Sequence, residues 1–336
     1  MRAWQLANTG NHNLRLIDTD QPVPGPEEVL IRMHAVSLNY RDKAIIDGSY
    51  PLPMTFPMIP ASDLAGEVVA VGDQVTGLKL GDRVVSVYKP FWLDGVPTQK
   101  ANSQNLGGPL QGMLAEYVVL PQTGTLAYPA YLTPGEASTL PIAGVTAWVA
   151  LFAKGGMRPG QNVLVQGSGG VAIVALQLAV ANGARVIALT RSGDKGARLK
   201  ELGASEVINT TETPDWEQEV RRLTGGSGVD HVVEVLGGDQ LRRSIAASSW
   251  GGHIGVIGFM NEQTACIPIP AVLGSAVRIQ GIGVGSQKDM RDLLAFMEEH
   301  RIQPVIESTY DFADARDAFD HLDRGPFGKV VVELRD

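Results

Sequence analysis

Apolar residues change their spacing along the chain, and each spacing predicts a different kind of element. Up to about residue 121 they come in short runs of strand formers at 14–17, 29–36, 66–71, 83–87 and 116–120. Pro22, Pro24, Gly25, Pro26, Gly72, Gly77 and Gly81 punctuate these runs, so a β-rich region is expected. One helix interrupts it: Asn39 stands as N-cap for 40–46, and Gly48 ends it. Residues 89–108 show little periodicity and much Gly, Pro, Asn and Gln, which reads as a long surface loop. Thr133-Pro134-Gly135-Glu136 is a capping box with proline at the first helical position, leading into the apolar stretch 139–152.

From residue 162 strand and helix spacings alternate. Buried strands are expected at 163–165, 185–190, 206–209, 229–236, 253–257 and 277–282. Helices are expected around Leu199 and Leu202, and over 214–223 with Trp216, Val220 and Leu223 facing inward. This alternation predicts a doubly wound parallel sheet. The tail carries two amphipathic helices, marked by Met290, Leu293, Leu294 and Met297 and by Ala315, Ala318, Phe319 and Leu322. A last strand, 329–334, is expected to return to the first domain.

The first of these β-α-β units carries the chemistry. Between strand 163–165 and a helix with Val171, Val174, Ala175, Leu178 and Ala179 on one face lie Gly167, Ser168, Gly169, Gly170, Val171 and Ala172, a G-x-G-x-x-A sequence. Gly183 stands where the helix should stop. Glycines let the backbone turn tightly and approach a pyrophosphate, and the free N–H groups of a helix start favour its charge. A dinucleotide site is expected. The tip of the next strand reads Thr190-Arg191-Ser192 and lacks the carboxylate that would bond both ribose hydroxyls of NAD. Arg191, Ser192 and Lys195 suit a 2′-phosphate, so NADP(H) is preferred over NAD(H). Asp194 argues the other way, and Arg191 and Lys195 also read as a solvated surface pair.

Composition narrows the class. The 336 residues are 44% hydrophobic and 19% charged, enough for two domains with separate cores. A net charge of −8 with scattered basic residues argues against nucleic acid. No apolar run reaches membrane-spanning length, and the start of the chain lacks a signal-peptide pattern. A single cysteine, Cys266, rules out an intramolecular disulfide, and a cytoplasmic location is expected.

Five segments, PGPEEVLIRMHAVSLNYRD (24–42), AGEVVAVGDQVTGLKLGDRV (65–84), GGPLQGMLAEYVVLP (107–121), the glycine loop and FGKVVVEL (327–334), together resemble the medium-chain dehydrogenase/reductase superfamily over essentially the whole chain. The resemblance implies an α/β protein: a GroES-like β-rich catalytic domain from 1–124 with 286–336, and a Rossmann NADP(H)-binding domain over 125–285. Zinc-dependent members present Cys and His-Glu at the metal. Here Asn39 to Asp42 and Ser62-Asp63 stand at those places, and His12, His34, His231, His253, His300 and His321 show no ligand-like pairing, so no zinc is expected.

The chain is similar to the zinc-independent quinone oxidoreductases and enoyl reductases through LNYRD at 38–42 and GSYP at 48–51. In the enoyl-reductase branch the tyrosine of the second motif helps bind the substrate carbonyl and supply a proton, and Tyr50 matches it. A helix tyrosine of some quinone oxidoreductases falls at Ala44, which departs from that branch. The resemblance implies hydride transfer from NADPH to a quinone or an α,β-unsaturated carbonyl, with Asn39 and Tyr50 bonding the developing enolate oxygen. Asn39 serves equally as a helix cap and Tyr50 as a packed aromatic. By the same resemblance Thr146, Gly258, Phe259 and Gly283 line the cofactor, Lys329 approaches the phosphate of NADP, and the protein is a homodimer joined near 267–282. A zinc-free carbonyl reductase and an NADPH-binding sensor with little turnover are the competing readings.

Overall fold

The computed structural model describes residues 1–260 and 262–335. The chain divides into two compact units, Met1–Val145 together with the segment from Gly285 onward, and Thr146–Val284.

The first unit is built on the strand Glu28–Ser37. Val29, Leu30, Ile31, Met33, Ala35 and Val36 are all buried on it, a nearly unbroken apolar run that suits a strand covered on both faces. Asp63–Val71 pairs antiparallel along one edge. The other edge is shared end to end by Tyr117–Pro121 and by Lys329–Glu333, whose Val331 lies opposite Ser37. The final strand therefore returns to the first unit as the pattern predicts, and it carries Lys329 to the end of the central strand. The helix Tyr40–Asp47 starts directly beyond that end. The Asp42 carboxylate accepts the Asn39 backbone N–H at 2.9 Å, and Gly48 closes the helix at φ 74°.

The second unit is a six-stranded parallel sheet in the spatial order Glu206–Asn209, Arg185–Thr190, Asn162–Gln166, Val229–Glu234, Ser248–Val256 and Arg278–Gly281. This is the doubly wound order, with the first strand of the unit at the centre. Val163, Leu164 and Val165 are fully buried on it.

Two expectations change. Residues 89–108 are not merely a surface loop: a short helix, Gln99–Ser103, is capped by Thr98, and Lys89, Ala101, Asn105 and Leu106 are buried. A five-residue helix is too short to show a period in the sequence. The strand expected to be buried at 277–282 is the exposed edge strand Arg278–Gly281. Its apolar residues resemble those of a central strand because spacing records a residue's type and not its place in the sheet. Among the described residues no helix is long and apolar enough to cross a membrane.

Candidate active site

In the second unit the glycine loop leaves the carboxyl end of the central strand. Gly167 adopts φ 79°, a conformation a side chain would strain, and a Cβ on Gly167 or Gly169 would meet nothing within 4 Å. That open space lies over the start of the helix Gly170–Ala181, whose first N–H groups have no helical partner. Val171 is in its first turn and Ser168 is buried in the loop. The loop fits a pyrophosphate: there is room for the ligand, a helix dipole and unspent donors.

At the tip of the neighbouring strand the buried Thr190 hydroxyl accepts the Ser192 N–H at 3.1 Å, which folds the chain back. Ser192 then caps the helix Gly193–Glu201, its hydroxyl accepting from the Lys195 N–H at 3.5 Å. Arg191 is exposed between them, and Asp194 is exposed in the first helical turn. The tip thus offers a guanidinium and a hydroxyl, and no carboxylate at the strand end itself.

The remaining cofactor candidates are spread more widely in this unit. Thr146 is buried in the helical turn Val145–Trp148, whereas Gly283 is exposed beyond the last strand. Gly258 and Phe259 follow Ser248–Val256, and a Cβ on Gly258 would lie 2.3 Å from the Val235 carbonyl oxygen, so this glycine is already required by packing. Glu234, not singled out from the sequence, shapes the same region. Its carboxylate accepts the N–H groups of Leu236 and Gly237 at 2.9 and 3.1 Å, and also Gln166 Nε2 and the Ser244 hydroxyl.

In the first unit Asn39 and Lys329 meet. Lys329, 4% exposed, donates to the Leu38 carbonyl at 2.7 Å and to Asn39 Oδ1 at 2.6 Å. Its ammonium is therefore held inside this unit by two acceptors. An ammonium only donates, so Asn39 must turn its oxygen toward it. The amide Nδ2 is left buried without a well-formed hydrogen bond, near the Asp63 carboxylate. Asp63 accepts from the Ser62 hydroxyl at 2.8 Å and from the Ile142 N–H at 3.1 Å. Burial raises Asp63 above the usual carboxylate range and raises Asp42 to about 6, while it lowers Lys329.

Tyr50 lies just past the helix end, where the Ala44 carbonyl accepts the N–H groups of both Ser49 and Tyr50 at 2.9 and 3.0 Å. Its ring packs on the Arg41 guanidinium, 5.2 Å from the ring centre, and the buried Tyr88 ring is 5.3 Å from the same group. Arg41 is fixed by the Gly107 and Gly108 carbonyls at 3.0 and 2.7 Å. The structure thus adds Arg41 and Tyr88 to the sequence candidates. Arg41 stands inside the LNYRD segment and was legible there, whereas Tyr88 had no signal.

Residues 25–130 match the alcohol dehydrogenase GroES-like domain family and residues 170–299 the zinc-binding dehydrogenase family. A zinc-type alcohol dehydrogenase-like protein of Schizosaccharomyces pombe is 39% identical over 316 residues, spanning 92% of this chain and 91% of that protein. The chain belongs to the medium-chain dehydrogenase/reductase superfamily. It is an oxidoreductase of that family, with a GroES-like and a Rossmann domain. A crystal structure of a putative alcohol dehydrogenase from Sinorhizobium meliloti shares 43% identity and a TM-score of 0.94, covering 99% of this chain and 98% of that one. An acryloyl-coenzyme A reductase of Sulfurisphaera tokodaii is 29% identical, covering 95% of this chain and 96% of that protein.

Zinc is implied by part of this superfamily, and the residues here do not suit it. Where the family's ligands would fall stand Asn39 to Asp42 and Ser62-Asp63, and the Lys329 ammonium is buried against Asn39, close enough to both carboxylates to favour their charged forms. A cation placed there would meet a positive charge and carboxylates already bonded to N–H and O–H donors. Among the described residues no group of three or more His, Cys, Asp or Glu side chains could hold a metal ion.

Proposed function

We propose that this medium-chain reductase uses NADPH to reduce the conjugated double bond of an α,β-unsaturated carbonyl, or a quinone, without a metal ion. The observation that carries the reading is the donor set of the first unit, where a buried lysine ammonium bonds Asn39, the first residue of the stretch that stands where the family's metal ligands would fall. Without a Lewis acid the protein must stabilise charge with its own hydrogen bonds, which suits a substrate whose negative charge is delocalised as an enolate.

NADPH supplies the hydride when bound. The glycine loop and the Gly170–Ala181 helix start bind the pyrophosphate, and Arg191, Ser192 and Lys195 engage the 2′-phosphate. Tyr50 donates its phenol to the substrate oxygen, with Arg41 against its ring favouring charge nearby. With its Oδ1 held by the lysine, Asn39 has its Nδ2, buried and without a well-formed hydrogen bond, to offer as the second donor. The acryloyl-coenzyme A reductase relative, named for a conjugated thioester, supports the substrate class. The exposed edge strand Arg278–Gly281 and the exposed side chains of Ile269 and Leu273 support a homodimer. Cytoplasmic residence belongs to the same reading.

A metal-free alcohol dehydrogenase-like carbonyl reductase is the second reading, favoured by the alcohol dehydrogenase name of the S. meliloti structure. The test is NADPH oxidation with an enone, a quinone and a saturated aldehyde, with and without chelator, for wild type and Tyr50→Phe. The proposal expects chelator-insensitive turnover of the enone or quinone and a fall of about 100-fold in the variant, the scale of a lost general acid. Turnover of the aldehyde alone, abolished by chelator, would overturn it.

A further inference from the structure

Arg41 is packed against Tyr50, and its surroundings hold the guanidinium in place without neutralising it. The side chain is 10% exposed. Nη1 and Nη2 donate to the Gly107 and Gly108 carbonyls at 3.0 and 2.7 Å. Both carbonyls can converge on it because both glycines adopt positive φ, 67° and 123°, and a Cβ on either would lie 3.3 Å from the guanidinium. These partners are neutral. The adjacent carboxylate, Asp42, is 3.5 Å from Nη1, long for a charge-assisted bond, and its other oxygen already accepts the Asn39 N–H. Nε is buried without a well-formed hydrogen bond. The positive charge is therefore fixed but only partly matched.

Two tyrosine rings lie against that charge, and they differ in access. Tyr88 is 5% exposed, and burial pushes its phenol well above the ordinary value, so it stays neutral. Tyr50 is half-buried and is the one of the two open to a substrate. Burial opposes the Arg41 charge, and Tyr88, Asp42 and Tyr50 outweigh it, Tyr50 also through the approach of its phenol oxygen. A guanidinium only donates, so it faces the lone pairs of that oxygen and turns the O–H away from itself.

We propose that Arg41 is a positioning residue for Tyr50, pointing the phenol proton toward the substrate and stabilising the phenolate left after its transfer. This role rests on the reading of Tyr50 as proton donor. Once hydride has reached the β-carbon, the enolate oxygen takes the Tyr50 proton. The O–H bond breaks, its electron pair stays on the phenol oxygen, and the phenolate regains a proton from water. A guanidinium that served only to tie Gly107 and Gly108 to the helix would be indifferent to the phenol.

Enone reduction by the full chain separates the two roles in wild type, Arg41→Ala, Arg41→Lys, Tyr50→Phe and the double variant of Arg41→Ala with Tyr50→Phe. Arg41→Ala should lower kcat about tenfold to 100-fold, the scale of a charged hydrogen bond, and leave KM for NADPH unchanged. In the Tyr50→Phe background the same substitution should change kcat by less than about twofold, because the group it acts through is gone. Guanidinium chloride at millimolar concentration should restore part of the Arg41→Ala activity where sodium chloride does not. Arg41→Lys, which keeps the charge, should fall between Arg41→Ala and wild type. Nitrogen NMR avoids any Arg41 variant that fails to fold: Tyr50→Phe should speed solvent exchange of the Arg41 guanidinium protons relative to wild type. Full enone activity in Tyr50→Phe would sink the reading of Tyr50 and this role with it. Loss of activity in Tyr50→Phe, joined to wild-type kcat in Arg41→Ala, additive effects in the double variant, no rescue by guanidinium, or unchanged exchange, would overturn the Arg41 role alone.

Discussion

Asp42 has two roles that pull against each other. Its carboxylate accepts the Asn39 N–H and so starts the helix that carries Arg41 and precedes Tyr50, yet burial raises it from its ordinary value of 3.8 to about 6. The folded carboxyl therefore holds its proton to higher pH than the unfolded one. Charging it in the fold costs stability fully above about pH 6, and the cost disappears as pH falls toward 4. Asp42→Asn keeps an acceptor for Asn39 and removes the charge. Relative to wild type, the variant should gain stability on going from about pH 4 to pH 8, by up to about 3 kcal/mol, read from denaturant midpoints at both ends. A difference between variant and wild type that stays constant across that range would mean that Asp42 does not titrate as described. Little of this was visible in the sequence. Asn39 read as a helix cap because cap chemistry is local, whereas the partner that takes its side-chain oxygen, Lys329, is 290 residues away.

At the scale of elements, the β-α-β unit was the most legible part of the chain, because strand length, helix period and glycine position all agree there. The tip Thr190–Ser192 is shaped by its own local hydrogen bonds and leaves Arg191 exposed. If that tip holds a 2′-phosphate, Arg191→Ala should raise KM for NADPH about tenfold to 100-fold, the range for a charged hydrogen bond, and leave KM for NADH almost unchanged. Equal changes for both cofactors would remove the basis for NADP preference. Elements fixed by distant contacts were hidden. The segment 89–108 contributes Gly107 and Gly108, whose carbonyls clamp Arg41, and nothing in its composition announces that contact.

At the scale of the whole molecule, the family, its two domains and the return of the last strand followed from segments spread over the full length, while the edge of the sheet did not. The exposed Arg278–Gly281 strand and Leu273, 71% exposed, leave an apolar margin that a second copy would cover. Leu273→Glu should convert a dimer to monomer in sedimentation, and unchanged sedimentation would place the contact elsewhere. The destination of the hydride can be followed directly. NADPH carrying deuterium at the transferable position should be incubated with an enone and the product examined by NMR. Deuterium at the β-carbon of a saturated ketone is the predicted result. Deuterium on the former carbonyl carbon of an allylic alcohol would contradict the account and make the protein a carbonyl reductase.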